Sequence, residues 1–231
     1  MAADLHSGTR SVNSPRKFEV ERKFLVPPDF KQTLKTNGAW LKREIEFTDV
    51  YFDTPNNELT FAGFWLRKRD QKFELKIQKL KDFQDGIENY TEIEDEREIV
   101  SQLSRLLKAC FANTDRDCTI EDFIQRTCCK PIASFSTVRT SYEMSNGVMV
   151  DLDQASFGYQ VGEIEILVSS FEEVAVAKET IRKTAKLLGV ESETSIPGKI
   201  EAYLSQHCRS HYEQLVGNGC FINVEALNKS G

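Results

Sequence analysis

Residues 18–24 read FEVERKF, and as a strand they separate into two faces. Glu19, Glu21 and Lys23 fall on one, and Phe18, Val20 and Phe24 on the other. Seven further runs have strand character, at 41–52, 64–70, 73–80, 90–96, 132–142, 148–153 and 159–168. Ser145-Asn146-Gly147 marks a tight hairpin between two of them. Helical patterns lie between and after the strands. Asp29 is placed to N-cap a helix over Phe30 to Thr36 that stops at Asn37-Gly38. Thr54-Pro55 predicts a short helix with proline at its first position, ending at Gly63. Ile99, Leu103, Leu106, Leu107 and Cys110 recur at helical spacing, as do Val174, Ala177, Ile181, Ala185 and Leu188 before Gly189. A last helix is expected from near Pro197 through Tyr203 and Leu204. Eight strands without long helical crossovers favour an antiparallel sheet, hence an α+β fold.

The charged face repeats on strand after strand. Trp65, Arg67 and Arg69 share a face, as do Glu74, Lys76 and Gln78 opposite Phe73, Leu75 and Ile77. Asp151 aligns with Asp153, and Glu163 with Glu165 opposite Ile164 and Ile166. An open sheet with one wet face gives the same alternation. Two features weigh against it. Arginines and carboxylates at this density need partners, and the opposite face is apolar enough to demand its own core. A closed eight-stranded antiparallel β-barrel with a charged lumen and helices packed outside satisfies both. Filled barrels ordinarily have apolar interiors, so a charged lumen implies water, ions or a ligand. Lys23, Arg67, Arg69, Lys76 and Arg139 suit a polyanion, since arginine forks match phosphate oxygens and lysine adds a compact charge. Carboxylates beside them fit if Mg²⁺ bridges them to phosphate.

Composition narrows the function classes. The 231 residues are 40% hydrophobic and 29% charged, the balance of a soluble protein with a sizeable core. No apolar run approaches the ~20 residues of a membrane span. The first 16 residues are polar and lack a secretory h-region, so we expect a flexible tail at 1–16 and a cytoplasmic protein; a transit peptide is the weaker reading. One domain is expected over 17–216, with a C-terminal tail at 217–231. Cys110, Cys118, Cys128, Cys129, Cys208 and Cys220 form no CxxC and no zinc spacing, so they are expected to be reduced thiols. Net charge of −6 argues against nucleic acid as the main partner.

Glu19-Val20-Glu21-Arg22-Lys23 is an ExExK signature, followed in order by DVYFDTP, WLRKR, FELK, SFSTVR, VDLD, ASFGYQVGE and GEIEILV. Together they resemble the CYTH, or triphosphate tunnel metalloenzyme, superfamily over roughly residues 17 to 205. The resemblance implies a β tunnel and metal-assisted hydrolysis of a triphosphate. Glu19, Glu21 and Glu165 are implied as ligands of one Mg²⁺, and Asp151 and Glu163 of a second, with Mn²⁺ able to take the same oxygen donors. Lys23, Arg67, Arg69, Arg139 and Lys199 are implied as triphosphate cations, with Asp151 also at the substrate. Lys76 and Tyr51 are implied beside the phosphates, where they orient or activate water. Trp65 is implied as a platform for a thiamine ring, although outside the resemblance it reads as core. Glu92 is less firmly placed, because NYTEIEDERE offers several acids. The water's base is either Glu163 or a Lys76 with depressed pKa. Asp53 and Asp153 read as turn or cap residues, and the histidines receive no role.

The expected substrate is thus a small-molecule triphosphate: thiamine triphosphate first, inorganic tripolyphosphate second. A non-catalytic polyphosphate- or nucleotide-binding module is the alternative of another class. Nucleic acid and membrane are not expected partners. A closed tunnel exposes no sheet edge, so a monomer is expected.

Overall fold

Eight strands close on themselves in a computed structural model that describes residues 17–78, 86–108, 118–191 and 195–221. They are β1 (Lys17–Phe24), β2 (Trp40–Asp53), β3 (Phe64–Arg69), β4 (Lys72–Gln78), β5 (Ile87–Ile93), β6 (Lys130–Glu143), β7 (Met149–Ala155) and β8 (Gln160–Val168). The order around the barrel is β1-β5-β4-β3-β2-β6-β7-β8, and every pairing is antiparallel. All eight predicted strands are present. The expected run at 73–80 is strand through Gln78, and its last two residues lie outside the described ones. The run expected at 90–96 begins earlier, at Ile87, and its end is helix instead: Asp95 accepts a bond from Glu98 N at 2.9 Å and caps α3 (Glu96–Leu106). Cys110, expected on that helix, also lies outside the described residues.

The inverted alternation positions everything else. Val20, Phe24, Val150, Leu152 and Ile164 point outward into a core completed by α1 (Phe30–Thr36) and α5 (Val174–Leu188). Leu66, Phe73 and Leu75 point outward into a second core under α3 and α4 (Ile120–Arg126). Each fully buried leucine or phenylalanine there contributes about 1.5–3 kcal/mol, so the exterior helices are integral to the barrel. A third cluster gathers Tyr51, Trp65, Ala133 and Phe135 with α6 (Lys199–His207), α7 (Arg209–Gly217) and Phe221. No helix among the described residues is long and apolar enough to cross a membrane.

Local details differ from expectation in three places. Asp29 does not cap α1 with its side chain; its backbone is left-handed (φ 57°) rather than in the extended conformation typical of a side-chain N-cap. The short helix α2 (Glu58–Phe61) starts beyond Pro55. The Asp53 carboxylate accepts from Thr54 N, Leu59 N, Thr60 N and the Thr60 hydroxyl, at 2.6–3.0 Å, and this anchors the turn. Asp53 therefore caps, as read. Helices α4 and α7 were not anticipated. A capping box starts α4, with Thr119 and Asp122 bonding each other's backbone.

Candidate active site

Inside the barrel lies a cavity of about 430 Å³, within the range of small-molecule sites. It is lined by the inward residues of the strands, by the first residues of α6 and by Phe221. Alternation delivers Glu19, Glu21 and Lys23 from β1, and Trp65, Arg67 and Arg69 from β3. It delivers Lys76 from β4, Arg139 from β6, and Glu163 and Glu165 from β8. Lys199, the first residue of α6, enters the same lumen and bonds the carboxylates of Asp153 and Glu163, the latter at 3.3 Å. Tyr159 holds this helix start in place by donating to Pro197 O at 2.6 Å.

The cations are held rather than loose. The Arg69 guanidinium forks the buried Asp49 carboxylate at 2.8 and 2.9 Å, and Arg67 Nε donates to Glu74 at 2.8 Å. Phe47 faces inward between two guanidinium groups, 4.0 Å from Arg69 and 5.7 Å from Arg139, an arrangement that uses the ring's negative face. Lys23 bonds Glu21 and Glu88, and Lys76 bonds Glu19 with Glu92 at 3.2 Å and Glu21 at 3.8 Å. Arg139 meets Asp153 at 2.6 and 2.7 Å, Glu163 at 2.6 Å and Asp151 at 2.5 Å.

Asp151, Glu163 and Glu165 form a cluster whose ligand oxygens lie within 4.8 Å of one another. Glu19 and Glu21, expected with Glu165 as one ligand set, are ion-paired to Lys76 and Lys23; Glu21 still sits opposite Glu165 in the β1–β8 ladder. Both Asp151 oxygens are buried without a well-formed hydrogen bond, despite the close Arg139 nitrogen. Burial pushes the Asp151 carboxyl up, and burial with the Asp151 charge pushes Glu165 up to about 7. Three carboxylates crowded this closely fit a hard divalent cation.

Electrostatics also distinguish the two candidate bases. Burial pulls the Lys76 ammonium down, but Glu19, Glu92 and Glu21 outweigh it and hold it well above its ordinary value. The depressed lysine considered from the sequence is therefore not found. Burial raises Glu163, but Lys199 and Arg139 outweigh it and hold the carboxyl well below the usual range. Glu19, by contrast, is raised by burial, with Lys76 opposing and Glu21 and Glu92 adding to the rise.

The sequence matches the CYTH domain family over residues 17–199. It is 33% identical over 207 residues to the thiamine-triphosphatases of Homo sapiens and Macaca fascicularis, covering 86% of this chain and 89% of each relative. Among solved structures, the PH1012 protein of Pyrococcus horikoshii shares the fold, with a TM-score of 0.54, 23% identity, and 81% and 98% of the two chains covered. The chain belongs to the CYTH domain family. The CYTH match ends at Lys199, so most of α6, α7 and Phe221 lie beyond it.

All the lumen residues singled out from the sequence are brought together in this CYTH tunnel. Trp65 and Tyr51 line the cavity and also pack: Trp65 stacks on Phe221 at 5.4 Å and 13°, and Tyr51 lies 6.0 Å from Phe135. Phe221 falls in the segment read as a tail, yet it is 6% exposed. Asp153 is corrected. It is no cap but a lumen carboxylate, because it shares the parity of Asp151 on β7. Asp49, Glu88 and Tyr90 were missed, and Glu74, though placed on the charged face, was given no role. Each had a signal in the period-two alternation, Glu88, Tyr90 and Glu92 lying on one face of IENYTEI. Glu92, the least firmly placed acid, does reach the lumen beside Lys76.

Proposed function

We propose that this CYTH protein hydrolyses thiamine triphosphate, breaking its terminal phosphoanhydride with water to give thiamine diphosphate and phosphate. The observation that carries the reading is one cavity in which Lys23, Arg67, Arg69, Arg139 and Lys199 meet a cluster of three carboxylates. A cation-lined lumen suits a triphosphate, and the name of the human and macaque relatives supports the thiamine ester. The alternative, inorganic tripolyphosphate, would use the cations but leave Trp65 without a ring to meet.

Phosphoryl transfer depends chiefly on positioning and charge stabilisation. Arg67, Arg69 and Arg139, already oriented by Asp49, Glu74 and Asp153, would clamp phosphate oxygens without reorganising. Lys23, Lys76 and Lys199 would add point charge. Asp151, Glu163 and Glu165, with Glu21 opposite, would hold Mg²⁺; a bound ion of this class neutralises phosphate oxygens and activates water. Glu163, kept ionised by Lys199 and Arg139, would accept a hydrogen bond from the attacking water, and Tyr51, opposite Arg67 in the β2–β3 ladder, would help orient it. The reading includes a monomer working in the cytoplasm; Cys118, Cys128, Cys129, Cys208 and Cys220 are free.

The test is phosphate release from thiamine triphosphate and tripolyphosphate, each with and without Mg²⁺, compared as kcat/KM. Mg²⁺-dependent preference for the thiamine ester supports the reading. Preference for tripolyphosphate moves the substrate, and silence on both leaves the binding module.

A further inference from the structure

The cavity is not uniform along its length. On β3 the inward residues run Trp65, Arg67, Arg69, each about 7 Å from the next at strand rise. A linear ligand lying along β3 with its phosphates at Arg67 and Arg69 therefore places its organic end at Trp65. That end of the cavity is finished by a residue from the far end of the chain, Phe221, whose ring stacks on Trp65 at 5.4 Å and 13°. Phe221 is no loose flap. It is 6% exposed, its ring lies 6.0 Å from Tyr212 of α7, and the turn before it is closed by Cys220 N donating to Leu215 O at 2.8 Å. The stack fixes the Trp65 ring, and both residues line the cavity.

We infer that Phe221 is a specificity-determining residue: with Trp65 it forms an aromatic wall that selects triphosphates carrying a flat, cationic ring over inorganic chains. A ring held flat by a stacked neighbour attracts a flat cation by stacking and by the ring quadrupole. An inorganic tripolyphosphate offers nothing to that wall and depends on the cations alone. The inference rests on the proposed activity. Phe221 lies outside the residues matched to the CYTH domain, so the selecting element is added to the tunnel rather than contained in it.

The experiment compares kcat/KM for thiamine triphosphate and tripolyphosphate in wild type, Phe221→Leu and Phe221→Trp. Leucine keeps the buried volume and loses the ring; tryptophan restores it. We expect the ratio of the two kcat/KM values to fall about 10-fold in Phe221→Leu, through KM of the thiamine ester, which is the scale of one stacking contact. Phe221→Trp should recover the ratio. A parallel loss on both substrates, or a ratio that does not move, overturns the inference while leaving the activity standing. A wild type silent on thiamine triphosphate overturns the activity itself. A second readout needs no turnover. Trp40 and Trp65 are the chain's two tryptophans, so in a Trp40→Phe background quenching by thiamine diphosphate reports Trp65 directly. Phe221→Leu should weaken that titration by a similar factor, and an unchanged midpoint counts against the wall.

Discussion

Glu21 lies directly opposite Glu165 in the β1–β8 ladder, two carboxylates at a position where sheets ordinarily pair opposite charges. Asp151 opposes Glu163 in the adjoining β7–β8 ladder. Glu21 also opposes Glu88 in the β1–β5 ladder, with Lys23 bonded to both, whereas Lys76 opposes Glu92 and Arg67 opposes Glu74. Like-charge opposition costs stability unless a cation is shared, as Lys23 is between Glu21 and Glu88 and Arg139 is between Asp151 and Glu163.

Glu165→Gln separates that cost from its use. The substitution keeps shape and removes a charge that burial and Asp151 push up to about 7. At pH 8 without added metal, we expect a Tm rise of about 2–4 °C, corresponding to roughly 1 kcal/mol for a chain of this size. Turnover should fall by more than ~100-fold. Calorimetry and phosphate release on one preparation check both, and a fall in Tm with intact turnover removes Glu165 from the cluster's function.

Lys76 is held protonated by Glu19, Glu92 and Glu21 against the opposing effect of burial, and on the proposed activity it would act as charge rather than as base. Lys76→Gln is expected to lower kcat/KM by about 100-fold, whereas Lys76→Arg, keeping the charge, should lose about 10-fold or less. Equal losses in the two variants would return Lys76 to the role of base.

Gly162 on β8 is a packing device. A Cβ built there would collide with Cζ and both Cε atoms of Phe24, whose ring end abuts this glycine. Gly162 is opposite Phe24 on β1 and precedes Glu163, so a displaced ring shifts the strand that carries the cluster. Gly162→Ala should destabilise by about 2–3 kcal/mol, at the upper end for overpacking, and urea unfolding measures it. A stability change near zero would mean that Phe24 relaxes freely.

Much of this was legible because both faces of nearly every strand are strongly patterned. Period two alone assigns Glu19, Arg67, Lys76 and Glu163 to one interior. Pairing was not legible, since it depends on neighbours distant in the chain: Arg139, Asp153, Glu163 and Lys199 meet from β6, β7, β8 and α6. Asp53 and Asp153 look alike in sequence. The first turns its carboxylate to the α2 backbone, and the second keeps strand parity and faces the lumen. Phe221 was out of reach, as a lone aromatic beyond a weakly patterned helix gives no periodic signal.

His211 on α7 ties the C-terminal helix to α2, its Nε2 3.0 Å from the Thr60 hydroxyl and its ring against Phe61. Burial lowers its pKa below the ordinary 6.5, with Asp53 opposing weakly. A histidine depressed in the folded state takes up protons on unfolding. Its contribution is complete above about pH 6.5 and is lost as pH falls toward the folded value. The Tm of wild type should therefore drop more steeply between pH 7 and 5 than that of His211→Gln. Parallel curves would show that the imidazole titrates alike in both states.

Among the described residues β1 is the first strand, and it bonds to β5 on one side and to β8, the last, on the other. The β3–β5 side with α3 and α4 is built from neighbouring sequence, whereas the core under α1 and α5 joins residues from both ends. Because long-range pairings form slowly, the ring is left open until its final strand arrives, with an apolar exterior still uncovered by α5. During synthesis the hazard is thus on the outside of the barrel, and the first strand must wait for the last. Pulsed hydrogen exchange should find amides of β3 and β4 protected before those of β1 and β8.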